Sequence, residues 1–175
     1  VVSGDLVNKA GDPAQIREYQ RVIGQVAAGI PVYSLPGNHD IGNVPTPADI
    51  ATYTNHLGPD HYTFRHGEFV GIVLNSMLIH SPQRAPDLAA AQERWLQTEL
   101  QRARTGGARH TVIFMHHPWF LKAADEADEY FNIPAERRTR YLAWFREAGV
   151  KYLFSGHYHR NAVVRDGGLE AITTG

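Results

Sequence analysis

Short apolar runs, each closed by a polar cluster, recur along this chain, and stretches of helical spacing stand between them. Val1-Val2, Pro31 to Leu35, Tyr62 to Arg65, Phe69 to Leu74, Thr111 to Met115, Lys151 to Phe154, Ala162 to Arg165 and Leu169 to Thr173 read as strands. Asp12-Pro13 supplies an N-cap and a first-turn proline, after which Ile16, Tyr19, Ile23, Val26 and Ala27 keep helical spacing until Gly29. A short helix is predicted near Asp49 to Leu57. A longer one, capped by Asp87, carries Leu88, Ala91, Trp95, Leu96, Leu100 and Ala103 and stops at Gly106-Gly107. Pro134 starts the last helix, with Tyr141, Leu142 and Phe145 inward. This alternation predicts an α/β layer structure, and with no repeat, linker or low-complexity tract it predicts one domain over residues 1–175.

Four of the strands run out into clusters with chemistry. Gly4-Asp5 follows Val1-Val2, Gly37-Asn38-His39-Asp40 follows Leu35, His116-His117-Pro118 follows Met115, and Gly156-His157-Tyr158-His159 follows the Lys151 strand. Open α/β sheets put ligands in the crevice at the carboxyl ends of their strands, so the four clusters can converge there. A Gly-Asp or His-His-Pro alone is ordinary turn chemistry; the combination of Asp, Asn and several His is a mixed O/N donor set for divalent transition metals. His56, His61, His66, His80 and His110 lie outside the clusters and read as surface or helix-end residues. Arg137, Arg138 and Arg140 read as a solvated helix face, and Asp125, Glu126, Asp128 and Glu129 as an acidic loop.

Composition narrows the chemistry further. With 175 residues and 43% hydrophobic content the chain can bury a real core. Zero cysteines remove disulfides and thiolate ligands and leave the redox compartment open. Seventeen basic against eighteen acidic side chains give no global field for nucleic acid, and no basic stripe with interleaved aromatics is present, so no nucleic-acid partner is expected. The apolar runs are far too short for a membrane span of ~20 residues.

In their order, Gly4-Asp5, Gly37-Asn38-His39-Asp40, the strand-terminal His116 and Gly156-His157-Tyr158-His159 resemble the calcineurin-like metallophosphoesterase superfamily. Its signature runs D-x-H, G-D, G-N-H-D/E, a strand-terminal His, then G-H-x-H. No Asp-x-His occurs in these 175 residues. Asn75-Ser76, Gln92 to Leu96, Asp125 to Asn132 and Phe154 to Ala162 resemble more finely the subgroup called calcineurin-like phosphoesterase domain-containing protein 1, a group of serine/threonine phosphatases. The resemblance implies two β-sheets packed face to face between helices (α/β/β/α), here without the first strand and helix.

It also implies two divalent ions, Mn, Fe or Zn. Asp5 would bridge them, Asn38, His116 and His157 would complete one, and His159 would serve the other. His157 and His159 suit this if their segment is extended, since i and i+2 then share a face. His39 resembles the family's acid, and Asp40 is the nearest carboxylate to offset the ions' effect on it. Asn8 stands where related phosphatases carry an orienting Asp and is given no role. His117 is expected to pack or hydrogen-bond behind His116, because neighbours at a strand end face opposite ways. Tyr130, Phe131 and Trp119 are expected at the rim, and Arg160 is a candidate phosphate contact.

The implied activity is hydrolysis of a phosphorylated small molecule or phosphoprotein, first a monoester such as phosphoserine or phosphothreonine. A cyclic-nucleotide or glycerophosphodiester phosphodiesterase is the second reading, and a metal-binding or scaffolding module without catalysis the third. Lacking Asp-x-His, the chain is expected to hold one ion well and to turn over weakly.

Overall fold

In a computed structural model covering residues 1–175, six strands form one mixed sheet. They are β1 (Tyr62–His66), β2 (Phe69–Val73), β3 (His110–Phe114), β4 (Tyr152–Ser155), β5 (Ala162–Asp166) and β6 (Leu169–Thr173), in the order β1-β2-β3-β4-β6-β5. Neighbours β2, β3, β4 and β6 run parallel, with antiparallel β1 and β5 at the edges. Parallel direction sends four strand ends to one border of the sheet, so Asn75, His116 and His157, each two residues beyond its strand, emerge on the same side.

Six helices complete the chain: α1 (Pro13–Ile23), α2 (Asn38–Ile41), α3 (Pro47–His56), α4 (Met77–His80), α5 (Pro86–Thr105) and α6 (Ala135–Glu147). On α5 the buried positions are Gln92, Leu96, Glu99, Leu100 and Ala103, and on α6 Arg138, Tyr141, Leu142 and Phe145, which is one face at helical spacing in each. These faces close over Val70, Ile72, Ile113, Leu153 and Ala171 to form the main core. Burying a side chain such as Leu96 or Phe145 stabilises by about 1.5–3 kcal/mol, so this interface fixes the sheet that carries the strand ends.

The other sheet face presents Phe64, Phe114 and Phe154, the alternate residues of their strands. The expected second sheet takes a reduced form. Its two segments pair only through the parallel bridge Val2↔Ser34, with Val2 N–H donating to Tyr33 O at 2.8 Å and Leu35 N–H to Val2 O at 3.2 Å. Two strands alone make a marginal ladder. Side chains hold this one in place: Tyr33 stacks on Phe64 with centroids 3.8 Å apart, Tyr62 Oη donates to Ser34 O at 2.8 Å, and Tyr19 Oη pairs with Ser34 Oγ.

Three local expectations are corrected. The first helix stops at Ile23, where Gly24 bonds back to Gln20 O, so Val26 and Ala27 lie beyond it in irregular chain and Val26 is exposed. Asp87 lies inside the first turn of α5 rather than capping it. Arg138 is not part of a solvated face: it is fully buried, donating to Ile133 O at 3.1 Å and to Glu126 O.

Candidate metal centre

Close approach of the loops comes first, and glycine permits it. A Cβ on Gly37 would lie 2.2 Å from Asp5 Oδ1 and 2.5 Å from Asp5 N, and one on Gly4 would lie 2.6 Å from His116 Nδ1. Neither position has room for a side chain. Asp40 then locks the two loops: its Oδ1 accepts from Val7 N at 3.0 Å and its Oδ2 from Gly37 N at 2.7 Å. Three residues other than glycine have positive φ, namely Asp5 (54°), His157 (64°) and His159 (54°). Asp and His enter that region more readily than most residues, but it is uncommon for any of them. All three are expected metal ligands, and the turn at 156–160 replaces the extended segment foreseen for His157 and His159.

His116 organises the centre. Its Nδ1 donates to Ser3 O at 2.7 Å, which turns Nε2 inward. Facing that atom are Asn38 Oδ1 at 3.0 Å, His157 Nδ1 at 3.1 Å and Asp5 Oδ1 at 3.4 Å. His157 Nε2 is buried and makes no close hydrogen bond. Imidazole protons alone cannot satisfy all these acceptors, and a buried unpaired acceptor is costly. A cation would satisfy them together, and two oxygens with two imidazole nitrogens are the donor set of a divalent transition ion.

The protonation states agree with that. Burial pushes the Asp5 carboxyl up, but hydrogen bonding and charge from His116, with the His39 N–H, outweigh it and hold Asp5 below the usual range. Burial, then the His116 charge, pushes His157 down to about 4. At neutral pH the cluster therefore offers an anionic carboxylate and a neutral imidazole, the ligating forms. His159 is exposed and stands outside the Asp5, His116 and His157 group.

His39 is exposed above the cluster. Its N–H donates to Asp5 Oδ1 at 3.1 Å and its Nδ1 donates to the carbonyl of Asn8 at 2.8 Å. The expected carboxylate partner is elsewhere, since the Asp40 oxygens go to Val7 and Gly37 and burial raises its pKa despite those bonds. Asn8 thus orients His39 through a main-chain oxygen, which any residue supplies, so no sequence signal announces it.

His117 bonds Ser76 Oγ through Nδ1 at 2.9 Å, and its ring lies 4.1 Å from that of His157. Burial, then its histidine neighbours, holds it well below the ordinary imidazole range. Behind Ser76, Asn75 N–H donates to Gln92 Oε1 at 2.8 Å and Gln92 Nε2 to Asn75 O at 3.1 Å, so a side-chain amide imitates a strand and fixes the loop. At the rim, the rings of Tyr130 and Phe131 lie 5.1 and 5.6 Å from His157, while Trp119 is core, 1% exposed and packed on Tyr141 and Phe145.

The acidic loop is an anchor for that rim. Glu126 accepts from Leu121 N at 2.9 Å, Lys122 N at 2.6 Å and Asn132 Nδ2 at 2.7 Å, and Asp128 accepts from Ala135 N at 2.7 Å at the start of α6.

A strand-end cluster of Asp, Asn and His beneath a histidine defines the class, and residues 1–161 match the calcineurin-like phosphoesterase family; the chain belongs to it. Membership in a metallophosphoesterase family implies divalent metal ions. The serine/threonine-protein phosphatase CPPED1 of Bos taurus is 42% identical over 166 residues, 93% of this chain and 53% of the relative. The glycerophosphodiester phosphodiesterase GpdQ of Enterobacter lignolyticus is 30% identical over 172 residues, covering 91% and 55% respectively. The chain thus spans about half the length of the curated relatives it matches. Among solved structures, a dimetal phosphatase from Danio rerio shares the fold at TM-score 0.63 and 14% identity, over 91% of this chain and 66% of that one.

Proposed function

We propose that this chain is the metal-binding portion of a dinuclear, divalent-metal-dependent phosphomonoesterase, acting on phosphorylated substrates such as phosphoserine or phosphothreonine. The observation that carries it is the convergence of Asn38 Oδ1, His157 Nδ1 and Asp5 Oδ1 on His116 Nε2 within 3.4 Å. Bound there, divalent ions would neutralise phosphoryl charge and activate water. Asp5 would bridge two ions, Asn38, His116 and His157 would hold one with it, and His159 would serve the other. His39, held by Asn8 O through Nδ1, would give the leaving oxygen a proton from Nε2 in its imidazolium form. The phosphatase name of the 42% identical relative supports the monoester reading. A diesterase is favoured by the name of the 30% identical relative.

Only Asp5 and His159 serve the other ion within these residues, and two protein ligands hold a divalent ion poorly. Protein loaded with Mn²⁺ and desalted should keep close to one ion per chain, hydrolyse p-nitrophenyl phosphate slowly and the bis ester more slowly still. Retention of no ion would sink the proposal. Faster turnover of the bis ester would move it to the diesterase reading, and a retained ion with neither substrate turned over would leave a metal-binding module.

A further inference from the structure

The rim beside His157 bears side chains of one kind. Tyr130, 59% exposed, meets Phe131 edge-on at 5.1 Å and 78°, and Phe131 meets Tyr158 edge-on at 5.2 Å and 79°. The guanidinium of Arg160 lies 5.6 Å over the Tyr158 ring. Beneath the rim, the loops of Gly4, Gly37 and Gly156 pack backbone against Asp5, His116 and Ser3, where any Cβ would press. The aromatic side offers the organic part of an ester a flat apolar contact. That side is rigid, because Glu126 and Asn132 bind the loop that carries Tyr130 and Arg138 anchors it from α6.

We infer that Tyr130 and Phe131 form a specificity wall that favours phosphoesters whose organic group is an aromatic ring joined directly to the phosphoryl oxygen. The inference rests on the metal-centre reading and goes beyond the phosphoserine and phosphothreonine named there. Rings 5.1 and 5.6 Å from a ligand imidazole can meet a ring one bond beyond the phosphoryl group. They favour a flat partner edge-on or offset. A nucleoside monophosphate puts a ribose between phosphate and base and so carries its ring past the wall. Alkyl monoesters remain substrates without that contact.

The test is a binding measurement on Mn²⁺-loaded protein whose metal content is determined first. Calorimetry with phenylphosphonate and methylphosphonate, neither of which can be hydrolysed, should show the phenyl compound binding about fivefold tighter, the size of one aromatic contact. Tyr130→Ala should remove that preference while leaving methylphosphonate affinity unchanged, and Tyr130→Phe should keep it. Adenosine monophosphate, the second source of an aromatic ring, should bind wild type and Tyr130→Ala equally. Loaded protein that binds both phosphonates alike, or a preference that survives in Tyr130→Ala, overturns the wall and leaves the metal centre standing. Protein that retains no metal and binds neither phosphonate overturns both.

Discussion

On the proposed function, removing the His39 ring would separate proton delivery from metal retention. Its N–H holds Asp5 through the main chain, and its ring is tied only to Asn8 O, so truncation leaves Asn38 and Asp5 where they are. His39→Ala should slow p-nitrophenyl phosphate turnover by about 100-fold or more, the usual share of a general acid, with metal content unchanged by elemental analysis. Metal lost along with the ring would make His39 a ligand. At this scale the meeting of side chains was legible in the sequence: Asp5, Asn38, His116 and His157 follow strand-like runs and come within hydrogen-bond reach. The sequence was silent where the main chain makes the contact, as at Asn8 O and Ser3 O, because a carbonyl has no residue type.

Among the elements, α6 departs from its expected surface at Arg138. Arg138 shares its face with Tyr141, Leu142 and Phe145 at i, i+3, i+4 and i+7, so periodicity alone places it inward, although arginine chemistry suggests water. Inside, it ties the rim loop to the helix through the carbonyls of Glu126 and Ile133. Arg138→Met keeps the volume and strands those acceptors, with the Glu126 carboxylate 4.0 Å away. Loss of about 3 kcal/mol is expected, as for one partner of a buried pair. For a chain of this size that is a fall of about 6–12 °C in Tm by calorimetry. An unchanged Tm would mean that water replaces the guanidinium. The strand and helix order was legible because apolar period and turn residues agree across the sheet. The shrinkage of Val1-Val2 and Pro31 to Leu35 to one bridge was not, because local pattern does not say how many neighbours a strand finds.

For the molecule as a whole, the buried imidazoles of His117 and His157 and the half-buried one of His80 act together on stability. Burial is the main cause in each: His157 is pushed down to about 4 from an ordinary 6.5, His117 well below it, and His80 below it. The unfolded chain binds protons at these sites before the folded one does. Metal-free protein should therefore keep its full stability above about pH 6.5 and lose it as pH falls toward about 4, which urea midpoints across that window would measure. Midpoints flat from pH 7 to 4 would mean that the rings are solvated. Added metal should steepen the loss, since protons and cation compete for the same nitrogen atoms.

The left-handed backbone at Asp5, His157 and His159 bears on ancestry. Glycine is at ease in such a conformation, and one nucleotide change turns an aspartate codon into a glycine codon. A lineage could lose the Asp5 carboxylate and relax the local backbone in the same step, so a descendant with the shell intact and the carboxylate gone lies a single mutation away.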